Sequence, residues 1–544
     1  METKKFFLYV SLCFTLLLFL VPEVGAGWEE MEILKYNFDI DAAPRYQQYP
    51  VVTYNSIDNE FMCLYSVTGP LRDDCELGDE HECTADFMSI ESQRVSPDGE
   101  ILGDPIQLSP PEPRFKFAPS RFGHNTFTNE YMVPFSLGVS YLQAGVYVLK
   151  TDNVGNIRYG PYQVIEGEGQ GHAMIIYNPV EREYLLVFNA PGVYNEHMNN
   201  IGYILNENGD PAHGPFPVGN QEGGDLYAPY AAYNSTDSTY LVVWEDFRNV
   251  DDYMFDPGDI YGALLDADGN MIVEIPVIDD YFDNNGTPGG ADQRVPRPVY
   301  NPDRNEFLVV WRDHRLSLND GGIIGRIIGP EGTPKGPDFV VADPPRIQSS
   351  PEPIYVEEEK KYFMTWHDTQ NDTSPPGTAW WFSDNTDIYG RWLDETGSPI
   401  GDEIPLCVEE GWQLSATMAY DPAKKRFLIT WYDRNALNDY EPAVPPAEVP
   451  FATAPSEVRG TLYGIPGTTC LALEIYGEYS DEIKLLRNFR DNVLINTPGG
   501  KELIKLYYEW SPVIVKVIEK NEAFKKEVKE LIDGVLELVG AKVE

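Results

Sequence analysis

The sequence predicts a mainly β fold: a seven-bladed β-propeller closed by an N-terminal strand and followed by a small α-helical domain. Three observations carry that expectation. Seven times, an aromatic residue or His stands seven residues before a Tyr or Phe, which is followed four residues later by another aromatic. The stretch after most of these sets holds two more strand-like runs around a Gly-containing turn. The last copy lacks its fourth run, and one spare strand-like run precedes the first copy.

Residues 1–26 read as a secretory signal peptide. A short Lys-containing start leads into an apolar run from Phe6 to Val21, and Val24-Gly25-Ala26 offers a small-residue cleavage site before Gly27. The alternative is an uncleaved anchor, although the run is shorter than the ~20 residues a spanning helix needs. The mature chain is therefore expected to be exported, either extracellular or attached at the cell surface. Its formal charge is −47, and residues from Leu471 onward carry 11 basic and 14 acidic groups, so nearly all the excess lies before that point. Such a surface repels nucleic acid and anionic headgroups. No nucleic-acid partner is expected, and no later segment is apolar enough to span a membrane.

The spare strand is Glu32 to Ile40, within 32–40. The seven sets begin at Tyr54, His124, Tyr177, Tyr233, Tyr300, Tyr355 and Tyr420, with starts 53 to 70 residues apart. That short repeat marks one supersecondary unit used again and again. In the fourth copy, Ala228 to Tyr233 and Thr239 to Trp244 are β-rich runs flanking a polar turn. Asp259 to Leu265 and Met271 to Ile278 flank the turn Asp266-Ala-Asp-Gly-Asn270. Four antiparallel strands per copy make a propeller blade. Blades are expected near 46–108, 116–165, 171–218, 226–278, 292–341, 348–408 and 412–464, within a propeller spanning 27–466. The last blade takes the spare strand as its fourth, because closing the ring removes exposed sheet edges.

Strand alternation puts the first-to-second and third-to-fourth turns on one face, and these are tight. The insertions Leu71–Thr84, Asn249–Gly258, Asp279–Asp292, Thr369–Thr386 and Asn435–Ser456 fall on the other. Loops held on a rigid scaffold are favoured binding sites.

Trp-x-Asp recurs as Trp244-Glu-Asp246, Trp311-Arg-Asp313, Trp366-His-Asp368 and Trp431-Tyr-Asp433. A catalytic site needs one constellation, whereas a blade needs the same brace each time, so this series reads as structural. Gln47, Gln170, Gln293, Gln348 and Gln413 each stand seven residues before an opening aromatic. A ring of amides can grip a polar ligand; the alternative is backbone capping within each blade. Asp251, Asp252, Asp256 and Asp259, with Asp279, Asp280 and Asp283, form two acidic loops of hard oxygen ligands that suit calcium, the alternative being solvated loops. Trp380 and Trp381 lie in a polar insertion and suit stacking on sugars or docking a protein, or else fold back over the disc. Cys75 and Cys83 flank a polar loop and suggest a local disulfide in an exported chain. Cys63, Cys407 and Cys470 leave an odd count. No phosphate loop, dinucleotide fingerprint or hydrolase elbow is present, though a glycosidase carboxylate pair drawn from distant blades stays open.

The run Tyr300 to Arg315, with Asp-Ile-Tyr-Gly at 259–262 and 387–390, resembles repeats of exported prokaryotic propeller proteins. That resemblance implies architecture over residues about 46 to 464, and the Ser-x-Asp-x-Gly-x-Thr-Trp box of sialidases is missing. From Cys470 the chain changes to helical periodicity at 481–492, 501–510 and 512–538. The stretch 470–544 is similar to the CFI-box C-terminal domain on Tyr476-Gly477, Leu486-Arg487, Phe489-Arg490-Asp491, Pro498, Gly500, Tyr507-Tyr508 and Ser511-Pro512. The resemblance implies a sorting or surface module, with its opening box at Cys470 about one residue short. Together these readings point to an exported, non-catalytic propeller that binds a protein or glycan on its loop-rich face, with a glycan-processing hydrolase as the alternative.

Overall fold

The computed structural model of the protein describes residues 28, 31–41, 46–68, 88–109, 115–117, 119–138, 144–169, 172–191, 197–221, 224–248, 257–278, 292–316, 321–343, 346–372, 385–434 and 456–465. Beyond these it describes 475–476, 482, 485–486, 489, 518 and 522–543. Seven antiparallel sheets make a seven-bladed β-propeller. Strand β1 (Glu32–Asp39) precedes the first blade, β2 (Tyr46–Asn55), β3 (Glu60–Thr68), β4 (Met88–Val95) and β5 (Ile101–Gln107). The second blade holds β6 (Phe115–Phe117), β7 (Gly123–Asn125), β8 (Glu130–Gly138), β9 (Ala144–Thr151) and β10 (Ile157–Gly169). The third is β11 (Met174–Asn178), β12 (Glu183–Pro191), β13 (Met198–Leu205) and β14 (Pro211–Pro217). The fourth is β15 (Leu226–Asn234), β16 (Thr239–Asp246), β17 (Asp259–Leu265) and β18 (Met271–Ile278). The fifth is β19 (Gln293–Asn301), β20 (Glu306–Asp313), β21 (Gly322–Ile328) and β22 (Pro334–Ala342), and the sixth is β23 (Gln348–Val356), β24 (Lys361–Asp368), β25 (Asp387–Leu393) and β26 (Pro399–Cys407). The seventh is β27 (Trp412–Asp421), β28 (Arg426–Arg434) and β29 (Glu457–Gly464), with β1 as its outermost strand.

Each second strand is covered on both faces by neighbouring blades, which is why it reads as a continuous apolar run rather than an alternating one. All nine residues of β3 are buried, and Trp244, Trp311, Trp366 and Trp431 are fully buried. Burying a large apolar side chain contributes roughly 1.5–3 kcal/mol. The fourth strands form the wet rim, as the exposed run of β14 shows. The Gly of the third-strand motif is required by packing: a Cβ on Gly390 would meet Phe363 Cζ at 2.7 Å.

The opening aromatic of each set ends the inner strand and leans on its partner across the pair, as Tyr54 on Phe61 (5.4 Å) and Tyr355 on Tyr362 (4.9 Å). The next residue caps the turn. Asn55 Oδ1 accepts from the backbone N–H groups of Ile57 and Asp58, and Asn234 from those of Thr236 and Asp237. Five residues after every opening aromatic the backbone turns left-handed, at Asn59, Asn129, Arg182, Ser238, Asn305, Lys360 and Lys425. The capping Asn also reaches the next blade: Asn55 Nδ2 donates to Tyr131 Oη and Asn301 Nδ2 to Tyr362 Oη, both at 2.9 Å. Where the fifth blade carries Phe307 instead of Tyr, Asn234 donates to Asn305 Oδ1 at 2.9 Å. Where the seventh carries Phe427, the sixth blade presents Val356 instead of Asn, and the two share an apolar cluster.

The third-to-fourth turns are built alike. Asp152, Asn206, Asp266 and Asp394 accept through Oδ1 from the backbone N–H four residues on, and Gly155, Gly209, Gly269 and Gly397 hold the positive φ each turn needs.

Closure follows the expected plan. Strand β1 pairs antiparallel with β29, Glu32 opposite Gly464 and Asp39 opposite Arg459. Trp28 packs on Trp392 with ring centroids 5.7 Å apart. Across the seam, Ser456 Oγ donates to Gln47 O at 2.7 Å and Lys424 Nζ lies 2.8 Å from Asp98 Oδ2.

In the C-terminal region, α1 spans Glu522–Val543. Tyr476 Oη donates to Asp533 Oδ1 at 2.7 Å, with Lys529 over its ring. Most of the helices expected at 481–492 and 501–510 falls outside the described residues. Among the described residues, no helix is long and apolar enough to cross a membrane.

Candidate functional site

The inner strands build the central channel, and their local chemistry sets what faces it. Five residues before the opening aromatic, six of the seven inner strands hold a non-glycine residue in left-handed backbone: Tyr49 (φ 53°), His172 (64°), Ala228 (49°), Val295 (56°), Ser350 (53°) and Ser415 (54°). In four of them a Pro follows, at Pro50, Pro229, Pro296 and Pro351. The strand register shifts over this stretch, for instance between Arg294 and Arg297 and between Ser349 and Glu352. Such a bulge bends the strand and re-aims the side chains beside it. The second blade has Pro119 at the equivalent position, where proline cannot take positive φ. Its inner strand is split there into β6 and β7.

Two residues past the bulge, three before the opening aromatic, lie Val51, Arg121, Met174, Tyr230, Arg297, Glu352 and Thr417. Four of these come together in the channel. Glu352 accepts from Arg121 Nη2 at 2.9 Å and from Arg297 Nε at 3.2 Å. Both guanidiniums lie over the ring of Tyr230, at 5.2 Å for Arg121 and 4.0 Å for Arg297. Tyr230 Oη donates to Ser120 O at 3.2 Å. One layer thus ties blades two, four, five and six, with a buried carboxylate shared by two cations.

A second charged set lies at the junction of blades four and five, toward the insertion face. Arg294 Nε is 2.6 Å from Asp292 and its Nη1 is 3.4 Å from Glu245, while Arg312 Nη2 is 3.5 Å from Asp292. Glu245 also accepts from the Val295 N–H at 2.8 Å. Burial, with the Arg312 charge, pushes the His367 imidazole down to about 3, so it is neutral at physiological pH.

On the tight-turn face the channel opens into a cavity of about 500 Å³. Its walls carry Tyr54, His124, Tyr177, Tyr233, Tyr300 and Tyr355, one from each of the first six blades, and Arg121 also lines it.

The Trp-x-Asp series forms braces. The indole N–H donates to the carboxylate two residues on, at 2.8 Å for Trp244–Asp246, 2.7 Å for Trp311–Asp313 and 3.2 Å for Trp366–Asp368. Arg248 and Arg315 close the first two braces at 2.7 Å. The seventh blade departs from this: Asp433 has Arg459 Nε at 4.0 Å, and burial raises its carboxyl to about 7 against the partly offsetting Arg459 charge. Asp387, opposite Asp368 in the strand pairing, is raised by burial to about 6 against the bonds from Asn371 and Asn385.

Gln47, Gln293, Gln348 and Gln413 are fully buried at blade junctions. Their backbone N–H groups donate to Ser456, Gly258, Gly321 and Thr386 of the preceding blade, and the Gln47 amide donates to Asp41 Oδ2 at 2.9 Å. The Gln348 amide holds Asp368 at 2.8 Å. Gln170 lies outside the described residues, as do Trp380, Trp381, Cys75, Cys83 and Cys470. Of the acidic-loop residues, Asp259 is described; it is buried, opposite Asp246 in the β16–β17 pairing. Asp251, Asp252, Asp256, Asp279, Asp280 and Asp283 lie outside. Among the described residues no group of three or more His, Cys, Asp or Glu is arranged to hold a metal ion. Cys63 and Cys407 are free thiols in the core, and burial pushes Cys407 up to about 12.

Sequence reasoning missed the channel layer. Its signal was available: with the seven aromatic sets aligned, the column three residues earlier reads Val, Arg, Met, Tyr, Arg, Glu, Thr, the reverse of a repeated brace.

No known family profile matches the chain, and no curated protein matches it. Solved structures do. A protein of unknown function from Dyadobacter fermentans aligns at 11% identity over 80% of this chain and 99% of that one, with a TM-score of 0.45. A phage phi92 endosialidase aligns at 8% identity over 80% and 69%, TM-score 0.45. A thermostable family-43 glycoside hydrolase aligns at 12% identity over 52% and 92%, TM-score 0.30. Likeness at this level carries no activity across.

Proposed function

We propose that the protein is an exported, non-catalytic binding propeller that recognises a protein or glycan through its loop-rich acidic face. In this reading the tail from Cys470 serves sorting or surface attachment, and the acidic loops around blade four take calcium. The observation that carries it is the pairing of the channel charges with one another. Glu352 is occupied by Arg121 and Arg297, and Glu245 and Asp292 by Arg294. A hydrolase instead needs carboxyls free to exchange protons with a substrate at a set spacing. The test is a binding screen of glycans and secreted proteins with and without calcium. Ligand capture that is lost when the 373–384 insertion is replaced by a short Gly-Ser linker supports the reading; capture indifferent to that replacement and to the other insertions overturns it.

One observation favours a glycan-processing hydrolase as the second reading: a carboxylate and a phenol hydroxyl, Glu352 and Tyr230, converge with two guanidiniums in one channel. Turnover of a chromogenic glycoside panel by the native protein, abolished by Glu352→Gln, would support that reading over the first.

A further inference from the structure

The tight-turn face, which the loop-based reading leaves unused, carries a concavity whose lining is made of described residues. We infer that this cavity is a second ligand site, for a small carboxylated sugar whose carboxylate pairs with Arg121 at the floor.

Size comes first. About 500 Å³ falls within the roughly 300–1,000 Å³ typical of small-molecule sites. The walls are next. Five Tyr rings and His124 stand around the space, and between them Thr53, Ser56, Thr126 and Ser235 supply hydroxyls at the wall and mouth. Aromatic faces and short hydroxyl side chains, with Ile175, Val299 and Ile354 also in the lining, suit a ligand with an apolar ring face and a polar edge. An alkyl chain would leave those hydroxyls without partners in the ligand.

The rings are held before any ligand arrives. Tyr54 Oη donates to Asn59 Oδ1, Tyr300 Oη to Thr236 Oγ1 at 2.7 Å, and Tyr355 Oη to Asp303 Oδ2 at 2.7 Å. Each hydroxyl is thus turned into the turn layer, leaving the ring as wall. Fixing the walls in advance lowers the ordering cost of binding.

Charge decides the ligand class. The channel layer holds two guanidiniums and one carboxylate, so it keeps one net positive charge in a protein of net charge −47. Arg121 is the member that lines the cavity, with 36% of its side chain exposed, against 6% for Glu352. The acidic lining residue, Glu357, belongs to the first-to-second turn of blade six and is exposed at the mouth. A partly buried cation at the floor is screened less by water than an exposed carboxylate at the rim. An anionic group is therefore drawn to the floor, and Arg121 still has donors to offer it.

The test is calorimetric titration of the full chain with digalacturonic acid, with a neutral disaccharide of similar size, and with acetate. The expected result is binding of the acidic disaccharide about tenfold or more tighter than either control. Arg121→Met should erase the preference for the acidic sugar. Ser235→Trp, an exposed turn substitution that fills the mouth without touching the ion layer, should abolish binding while leaving the melting transition in place. No binding of the acidic disaccharide by the native chain, binding no tighter than acetate, or full binding by Ser235→Trp would each overturn the assignment. Because the insertion face is untouched in these variants, failure here is distinct from failure of loop-face recognition.

Discussion

The Asn301 side-chain amide donates to the Tyr362 hydroxyl at 2.9 Å, across the junction of blades five and six. Both residues are fully buried, and the next junction replaces the pair by Val356 and Phe427 in one apolar cluster. The same position is therefore filled either by a satisfied polar pair or by an apolar one.

Tyr362→Phe alone should destabilise by about 1–2 kcal/mol, because it strands a buried amide donor. Adding Asn301→Val, which copies the next junction, should recover part of that loss. A double-mutant cycle by thermal or urea unfolding checks this, with non-additivity of roughly 0.5–3 kcal/mol expected. Additive effects would mean that the hydrogen bond does not couple the blades.

Asp433 gives a pH prediction. Its carboxyl is raised from 3.8 to about 7, chiefly by burial, so the native state binds its proton more tightly than the unfolded state does. Its contribution is fully favourable below about pH 4, and stability is lost as pH rises toward about 7. Asp433→Asn should remove that dependence and raise stability at pH 8 by roughly 1–3 kcal/mol. Arg459 keeps Glu457 at 2.8 Å in the variant. Melting temperatures of both proteins from pH 4 to 8 decide it; parallel profiles would reject the assignment.

Removal of residues 28–42 deletes the outer strand of the seventh blade and bares the edge of β29. The truncated chain should melt earlier and less cooperatively and should self-associate through the new edge. Calorimetry and light scattering report both changes. An unchanged transition would show that β1 does not close the ring energetically.

Glu352→Gln leaves Arg121 and Arg297 facing each other without their shared anion. Breaking a buried pair in this way costs about 3–5 kcal/mol. A chloride- or salt-dependent recovery of melting temperature is expected, and adding Arg297→Gln should restore stability part of the way. A variant as stable as the parent would place little energy in the channel layer.

Blade number and closure were legible because core packing repeats. The aromatic sets mark where second strands bury against neighbours, and the missing fourth strand of the last copy pointed to Glu32 to Ile40, where the strand spans Glu32–Asp39. The Gln series was legible as a series but not in its geometry: the inner strands at Gln47, Gln293, Gln348 and Gln413 start against the preceding blade, so these four residues are buried at junctions. The channel layer was hidden for the opposite reason. A left-handed residue, followed in four blades by Pro, offsets the strand at Tyr230, Arg297 and Glu352, and a break around Pro119 does so at Arg121, so the four share a register that simple alternation along each strand does not reveal. The Trp-x-Asp series recurs as one hydrogen bond in three blades, and Asp433 departs from it, with Arg459 at 4.0 Å and its carboxyl raised by burial.

Glu32 sits opposite Gly464, so the chain enters β1 and leaves β29 at one point on the circumference of the disc, on the side of the tight turns. A tether acting through either of these strand ends would therefore reach the propeller from the tight-turn side. The insertion-bearing side would then lie opposite the point of attachment, and the Tyr-walled concavity on the same side as it. A pull on the C-terminal segment would load β29 along its length, with hydrogen bonds to β28 on one flank and β1 on the other strained together in shear. Under such a load β1 would share with β28 the force carried by β29.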